Sequence, residues 1–397
     1  MKKVFYASCY PNLYLSKIRE LSLKNLPLGG QTFNRLFSLG LKENECNVTV
    51  LVVYNISFDN KIFSKSFKMY EDGIEYVFFP NLKIPVLGTL FTAMYMRSYL
   101  KKEVKGNSDS DLILFYDVLL PYKYTVMKTF KKYHLKVVGI VTDLPEFFIN
   151  NSRNIFKKIK IAIKKFLNQK AEQCISYYVL ITKNMNKKVN LRKVPYVVIE
   201  GLSQKHLIET QDLGNNDLRT ILYSGDLSKV YGIYNLIQAF QKIKIKNVEL
   251  HLYGKCNYED ELSNICKIDN RIKFFGAVSV EELIKKQQQA YLLVNPRPLN
   301  LEFNKYSFPS KTIEYMSSGR PVLTTKLSGI PKDYYPYLYF TSGDSVDELY
   351  KSIVNLLKLD KNILAKKGLE AKKYVDDNKN YIIQTKKVLE MIEEGNK

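Results

Sequence analysis

Tryptophan is absent from this chain of 397 residues, histidine occurs 3 times and cysteine 5 times. Without tryptophan the chain lacks a ring that commonly marks a membrane-interface belt, although tyrosine reaches 30. His134, His206 and His251 lie far apart, and no H-E-x-x-H motif or carboxylate cluster of metal-ligand type accompanies them. No metal site is expected. Cys9, Cys46, Cys174, Cys256 and Cys266 are odd in number, widely spaced and never in a C-x-x-C pair. That disfavours a disulfide framework and a zinc ribbon, and it fits a reducing cytoplasm.

Acidic residues are also scarce, 39 against 61 lysines and arginines, leaving a formal charge of +22. Such an excess favours an anionic partner: nucleic acid, anionic lipid or a phosphorylated substrate. Long apolar runs are missing too. The longest, near Val86 to Met96, falls well short of the ~18 residues expected of a bilayer-spanning helix. After Met1-Lys2-Lys3 only Val4 to Ala7 precede Ser8-Cys9, whereas a signal peptide needs roughly seven or more apolar residues. A buried first strand is the better expectation. What remains, 46% apolar and 25% charged residues, is ordinary for a globular protein and excludes collagen-like, mucin-like and wholly disordered chains.

Short β-branched and aromatic runs alternate with helical stretches: Lys3-Tyr6, Val48-Val53, Leu112-Tyr116, Lys136-Thr142, Val179-Thr182 and Tyr196-Ile199. Several are apolar without alternation, as strands covered on both faces should be, and the order predicts a parallel sheet. Phe33 to Leu41, after Gly29-Gly30, suits a helix following a glycine turn. From Gly201 to Leu218 the sequence turns polar and unpatterned, as a linker does. A second series follows: Thr220-Tyr223, Val248-Tyr253, Ile272-Phe274, Ala290-Val294, Pro321-Thr324 and Leu338-Phe340. The expectation is an α/β protein with a domain over 1–200, a linker over 201–217, a second domain over 218–375, and a last helix over 376–397 that can return to the first domain. Ligands of open α/β sheets sit beyond the carboxyl ends of the strands, so the site is expected in a cleft between two such domains.

The most informative stretch runs from Arg297 to Val322, after the strand at Tyr291-Val294. Pro309 is tolerated in a helix's first turn and Gly319 can close its last, which predicts a short helix over Pro309 to Ser318 behind a polar loop. Its first amides, with Ser310 and Lys311 at the start, form an anion site suited to a diphosphate. Glu314 lies about one and a half turns along and could accept from a hydroxyl pair beside that anion. Lys311 and Glu314, three apart, could instead be an ordinary surface pair.

With Glu314 followed by Gly319-Arg320-Pro321-Val322, the segment resembles the nucleotide-binding signature of the family 4 retaining glycosyltransferases of the GT-B fold, in its bacterial polysaccharide branch. That signature has two acids eight positions apart. Glu314 matches the second, which binds ribose, whereas Tyr306 stands in the place of the first, which helps to hold the donor sugar. Tyr223-Ser224-Gly225-Asp226-Leu227-Ser228-Lys229 is similar to the family's glycine turn, although its usual arginine and lysine fall on Asp226 and Tyr231. The resemblance leaves Lys229, Arg297 and Lys311 as candidates to neutralise the leaving diphosphate, Lys311 first. It also places the backbone of Gly276 to Val278 at the base, and Gly29 and Gly30 at the family's glycine loop. Asp143 ends a strand where many relatives carry a histidine, as a hydroxyl ligand, a base or simply a helix cap. His251 lies within a strand pattern and reads as structural.

The resemblance implies two Rossmann-like domains, an acceptor-binding one and a nucleotide-sugar-binding one. It further implies transfer from a UDP- or GDP-sugar to a lipid-linked or oligosaccharide acceptor with retention, without a metal cofactor, in capsule, exopolysaccharide or O-antigen assembly. A nucleotide-sugar epimerase of the same fold and a basic nucleic-acid-binding protein are the alternatives, although no helix-turn-helix, RNP or zinc-finger pattern is visible.

From Asn154 to Asn168, Ile155, Phe156, Ile159, Ala162, Ile163, Phe166 and Leu167 share one helical face, and Lys157, Lys158, Lys160, Lys164 and Lys165 the other. Such a helix either packs on its own domain or lies on an anionic membrane, with Lys157, Lys158, Lys164 and Lys165 as the contacts.

Overall fold

The computed structural model describes residues 2–8, 30–52, 63–82, 84, 87–104, 112–115, 127–128, 132–133, 135–144, 170–205 and 218–395. The chain divides into two compact units, Met1–Leu202 with Tyr381–Lys397, and Ser203–Asn380.

In the first unit, β1 (Lys3–Ser8), β2 (Asn47–Val52), β4 (Phe67–Glu71), β5 (Ile74–Phe78), β7 (Leu112–Phe115), β8 (Lys136–Val141), β9 (Tyr177–Leu180) and β10 (Tyr196–Val198) form one sheet. Its order is β10-β9-β8-β7-β1-β2-β5-β4, with every pairing parallel except β4 on β5. The short β3 (Phe63–Ser64) and β6 (Asn81–Leu82) pair separately. Helix α1 (Gln31–Glu43) connects β1 to β2 and buries Leu36, Phe37 and Leu41 against Val48, Val50 and Val52. Helix α2 (Leu87–Val104) follows β6. No described helix is long and apolar enough to cross a membrane.

The second unit holds β11 (Arg219–Ser224), β12 (Val248–Tyr253), β13 (Ile272–Gly276), β14 (Leu292–Asn295), β15 (Val322–Thr324) and β16 (Tyr339–Phe340), all parallel, in the order β13-β12-β11-β14-β15-β16. All four residues of β14 are buried, as are the last four of β11, because helices cover both faces of such a sheet. Its helices are α3 (Ile233–Gln241), α4 (Glu259–Ile268), α5 (Val280–Gln289), α6 (Lys311–Ser317), α7 (Val346–Leu357) and α8 (Lys361–Asn378). Ser345 and Glu348 close a reciprocal capping box at the start of α7, which satisfies two otherwise free donors.

The chain enters and leaves this unit side by side. Ser203 bridges in parallel to Asn380, and its amide donates to the Lys379 carbonyl at 3.0 Å. The last helix, α9 (Tyr381–Glu394), belongs to the first unit, where Val388, Leu389 and Ile392 join its core and Asn44 Nδ2 donates to the Ile382 carbonyl at 2.9 Å.

The expected α/β class and two parallel-sheet domains are what the structure contains. Two details differ. The antiparallel β4–β5 hairpin was not anticipated, and α6 begins at Lys311, two residues later than the predicted helix, with the Thr312 amide already donated to the Pro309 carbonyl at 2.8 Å.

Candidate functional site

In the second unit the strand order reverses at β11, with β12 on one side and β14 on the other. The carboxyl end of that strand is the switch point where an open α/β sheet leaves a crevice. Three neighbouring strands run out there into glycines: β11 into Gly225, β12 into Gly254, and β13 at Gly276. The Gly225 amide donates to the Tyr253 carbonyl at 2.8 Å and the Gly254 amide to the Gly276 carbonyl at 2.7 Å. Gly225 and Gly254 adopt φ of +137° and +130°, which L side chains rarely do. A Cβ on Gly254 would stand 1.8 Å from the Gly225 carbonyl oxygen, and one on Gly225 would stand 2.2 Å from Lys311 Nζ. Nothing lies within 4 Å of the Cβ position of Gly276.

The missing Cβ of Gly225 thus makes room for Lys311. This side chain is half-buried, and its Nζ lies 5.6 Å from the centre of the Tyr223 ring. Among the described residues it has neither a hydrogen bond nor an ion pair. Burial draws its pKa below the ordinary lysine range, Arg297 adds to this, and the charges of Glu314 and Asp226 oppose it.

Glu314, one turn along α6, is exposed and forms no ion pair among the described residues. Its Oε1 instead accepts a 2.5 Å hydrogen bond from Gln287 Nε2 on α5. The same nitrogen lies 3.0 Å from Ser224 Oγ at the end of β11. Ser224 is held in turn by Tyr315, whose hydroxyl accepts from the Ser224 amide at 2.8 Å and lies 3.3 Å from its carbonyl oxygen. Burial pushes the Tyr315 phenol well up, so it stays protonated as a donor.

The other two candidate cations stand differently. Lys229 pairs with Glu261 at 2.6 Å and lies over the rings of Tyr234 and Tyr258. The Arg297 guanidinium stands 5.4 Å from the Tyr231 ring centre and 5.0 Å from that of Phe303, with Nη1 3.4 Å from Ser307 Oγ. Asp226 turns inward on its own loop, accepting from the Ser228 amide at 2.8 Å. Tyr306, half-buried, caps the single 3-10 turn Glu302–Lys305, and Ser310 is exposed before α6 without a side-chain cap bond. Val278 is half-buried just after β13.

His251 accompanies Glu249 at 2.8 Å and packs edge-on to Phe275. In the first unit, Gly30 is the N-cap of α1 and Asp143 lies exposed after β8. Gly29 and the four lysines Lys157, Lys158, Lys164 and Lys165 lie outside the described residues. Among the described residues, no three His, Cys, Asp or Glu side chains gather so as to hold a metal ion.

The structure therefore brings Gly225, Lys311 and Glu314 together, and adds Gln287, Ser224, Tyr315 and Gly254, none of which the sequence reading singled out as site residues. One signal was available. In α5, Leu283, Ile284 and Gln287 fall on one helical face, and a glutamine on the inward phase needs a buried partner.

Residues 218–359 match the family model described as Glycosyl transferases group 1. No curated protein matches the sequence. Among solved structures the chain is similar to HepE of Anabaena in complex with UDP and glucose, at 15% identity and a TM-score of 0.67, covering 99% of this chain and 100% of that one. It is similar to sucrose-phosphate synthase of Thermosynechococcus elongatus at 11% identity and 0.65, covering 100% of both chains. A TarM variant from S. aureus, in complex with fondaparinux, α-GlcNAc-glycerol and UDP, aligns at 13% identity and 0.61 over 99% of both chains. The chain has the GT-B fold of two Rossmann-like units, and the second unit carries its match to the group 1 glycosyl transferases.

Proposed function

We propose that this protein is a retaining glycosyltransferase of family 4, moving a hexosyl-type unit from a UDP- or GDP-sugar to a hydroxyl of a lipid-linked or oligosaccharide acceptor in capsule, exopolysaccharide or O-antigen assembly. The observation that carries this reading is the half-buried Lys311 ammonium over Gly225, one helical turn from the exposed Glu314. An ammonium that forms no ion pair among the described residues, at a switch point, suits a diphosphate, and an acceptor-only carboxylate beside it suits a ribose hydroxyl pair. UDP in the HepE and TarM structures supports a uridine nucleotide.

In this reading the bond from the sugar's anomeric carbon to the diphosphate oxygen breaks. Lys311 stabilises the charge that collects on the leaving group, with Arg297 and Lys229 as further cations for that duty, so that no divalent cation is required. The acceptor oxygen attacks the same face of the anomeric carbon, and its proton passes to the departing phosphate oxygen. Backbone groups from Gly276 to Val278 face the base, Gly29, Gly30, Gly225, Ser310 and Tyr306 bind the donor, and Asp143 serves as a hydroxyl ligand or base.

Thermal-shift measurements with UDP, GDP and their sugars test the site. A ligand that binds only the folded state raises its stability in proportion to the logarithm of occupancy. Glu314→Ala is expected to melt like the parent without ligand and to lose about tenfold or more in nucleotide affinity. An unchanged nucleotide response would move the donor site elsewhere.

The basic segment carries a second expectation, that the protein acts at the inner face of the plasma membrane. It should sediment with liposomes containing anionic lipid and be released at high salt, because screening weakens surface charge attraction. Changing Lys157, Lys158, Lys164 and Lys165 to glutamate should abolish binding. Equal binding to neutral liposomes would reject the electrostatic attachment.

A further inference from the structure

We infer that Gln287 is a positioning residue that aims the Glu314 carboxylate at the ribose hydroxyls of the bound nucleotide. The inference rests on the nucleotide-sugar reading of this site. Gln287 is 2% exposed, close to the carboxyl end of α5, and its Nε2 faces both Ser224 Oγ at 3.0 Å and Glu314 Oε1 at 2.5 Å. Its anchor is fixed on every side. Tyr315 grips the amide, hydroxyl and carbonyl of Ser224, and Arg320 Nε donates to the Gln288 carbonyl, tying the end of α5 to the turn after α6. Two elements distant from it in sequence, β11 and α6, therefore converge on one amide group.

The chemistry of that amide explains its use. Glu314 is exposed, and an exposed glutamate samples many rotamers that it must give up on binding. A lysine or arginine would hold it too, but would also neutralise the carboxylate and compete with hydroxyl donors for its oxygens. In a chain with 61 such residues, the partner is a neutral one. The amide restrains one carboxylate oxygen and leaves the acceptor its full charge, and among the described residues Oε2 has no hydrogen-bond partner and can meet the hydroxyl pair.

The test compares the parent with Gln287→Met, Gln287→Glu and Glu314→Ala by calorimetric titration with UDP and GDP, using whichever binds tighter. Its 2′,3′-dideoxy analogue is run in parallel. Gln287→Met keeps the volume and removes the donor, and should lose about tenfold in affinity, as one charge-assisted hydrogen bond suggests. Against the dideoxy nucleotide it should lose nothing, because no hydroxyl is left for Glu314 to meet.

Gln287→Glu supplies a readout that a structural role would not move. Toward acidic pH a proton taken up between the introduced carboxyl and Glu314, against the nearby Lys311 charge, lets one donate to the other, so affinity relative to the parent should rise as pH falls to 5.5. At pH 8 both ionise and repel, Glu314 is displaced, and the ratio should fall about tenfold. This variant also keeps the test decisive if the methionine variant folds poorly. A ratio that is flat with pH, or an equal loss against the dideoxy nucleotide, with Glu314→Ala still impaired, would overturn the role of Gln287 and leave the site standing. Native affinity in Glu314→Ala would overturn both.

Discussion

Lys311→Ala is expected to abolish most nucleotide-induced stabilisation and to slow sugar transfer roughly 10²–10³-fold, as loss of one preorganised charge donor at a leaving group does. The same substitution should not weaken the ligand-free protein. The ammonium is half-buried, lies against Gly225 and the Tyr223 ring, and is shifted below the ordinary lysine range chiefly by burial. Its removal relieves a desolvated charge, so the apo melting temperature should hold or rise while function is lost.

The sign of the pH dependence follows. The folded apo protein binds fewer protons at Lys311 than the unfolded chain does, from the lowered pKa up to the ordinary lysine value. Apo stability at this position therefore rises with pH through that window. A bound diphosphate holds the proton in place, so nucleotide affinity falls over the same alkaline window. In Lys311→Met both slopes should vanish. Titration of UDP or GDP binding between neutral and alkaline pH checks this, and an unaltered slope in the variant would show that another group carries the charge.

Gly254→Ala is expected to be the most damaging single methyl group in the second unit. The new Cβ would stand 1.8 Å from the Gly225 carbonyl oxygen, and the residue already sits at φ +130°. The obstacle is backbone, not the end of a flexible side chain, so two strand ends must separate and the hydrogen bond from Gly254 to Gly276 must distort. About 3–5 kcal/mol is the expected cost, combining backbone strain with steric overlap. Gly276→Ala is the internal control. Its φ is +68°, yet its Cβ would meet nothing within 4 Å, so only the left-handed backbone penalty of about 1–2 kcal/mol applies. Urea denaturation followed by circular dichroism should rank the two variants in that order. Equal midpoints would show that the Gly225–Gly254 approach is looser than described.

Much of the fold was legible because burial on both faces leaves a plain mark. Val179–Leu180 and Leu292–Val294 lie within wholly buried strands, and these apolar runs announce them without any knowledge of neighbours. The β4–β5 hairpin also carries a local signal. Its strands flank Asp72-Gly73, both at positive φ, and an Asp-Gly pair is among the strongest short-range hairpin signals. Pro309 is compatible with a helix's first turn, which predicts a start two residues before Lys311, whereas the chain spends that residue's carbonyl on the Thr312 amide before regular winding begins.

By itself the sequence determined the alternation of strands and helices, the glycine at the end of β11 and the spacing of Lys311 and Glu314, since each is a property of residues near one another along the chain. Only the tertiary structure decided which cations are paired. Lys229 finds Glu261 across 32 residues, while Lys311 lies against Gly225 and, among the described residues, forms no ion pair. It also decided what holds Glu314, through Gln287 at a distance of 27 residues and Ser224 and Tyr315 at 91 from each other. Hydrogen bonds and charge pairs act over a few ångströms in space, and no local pattern encodes which distant side chains packing will bring within that range.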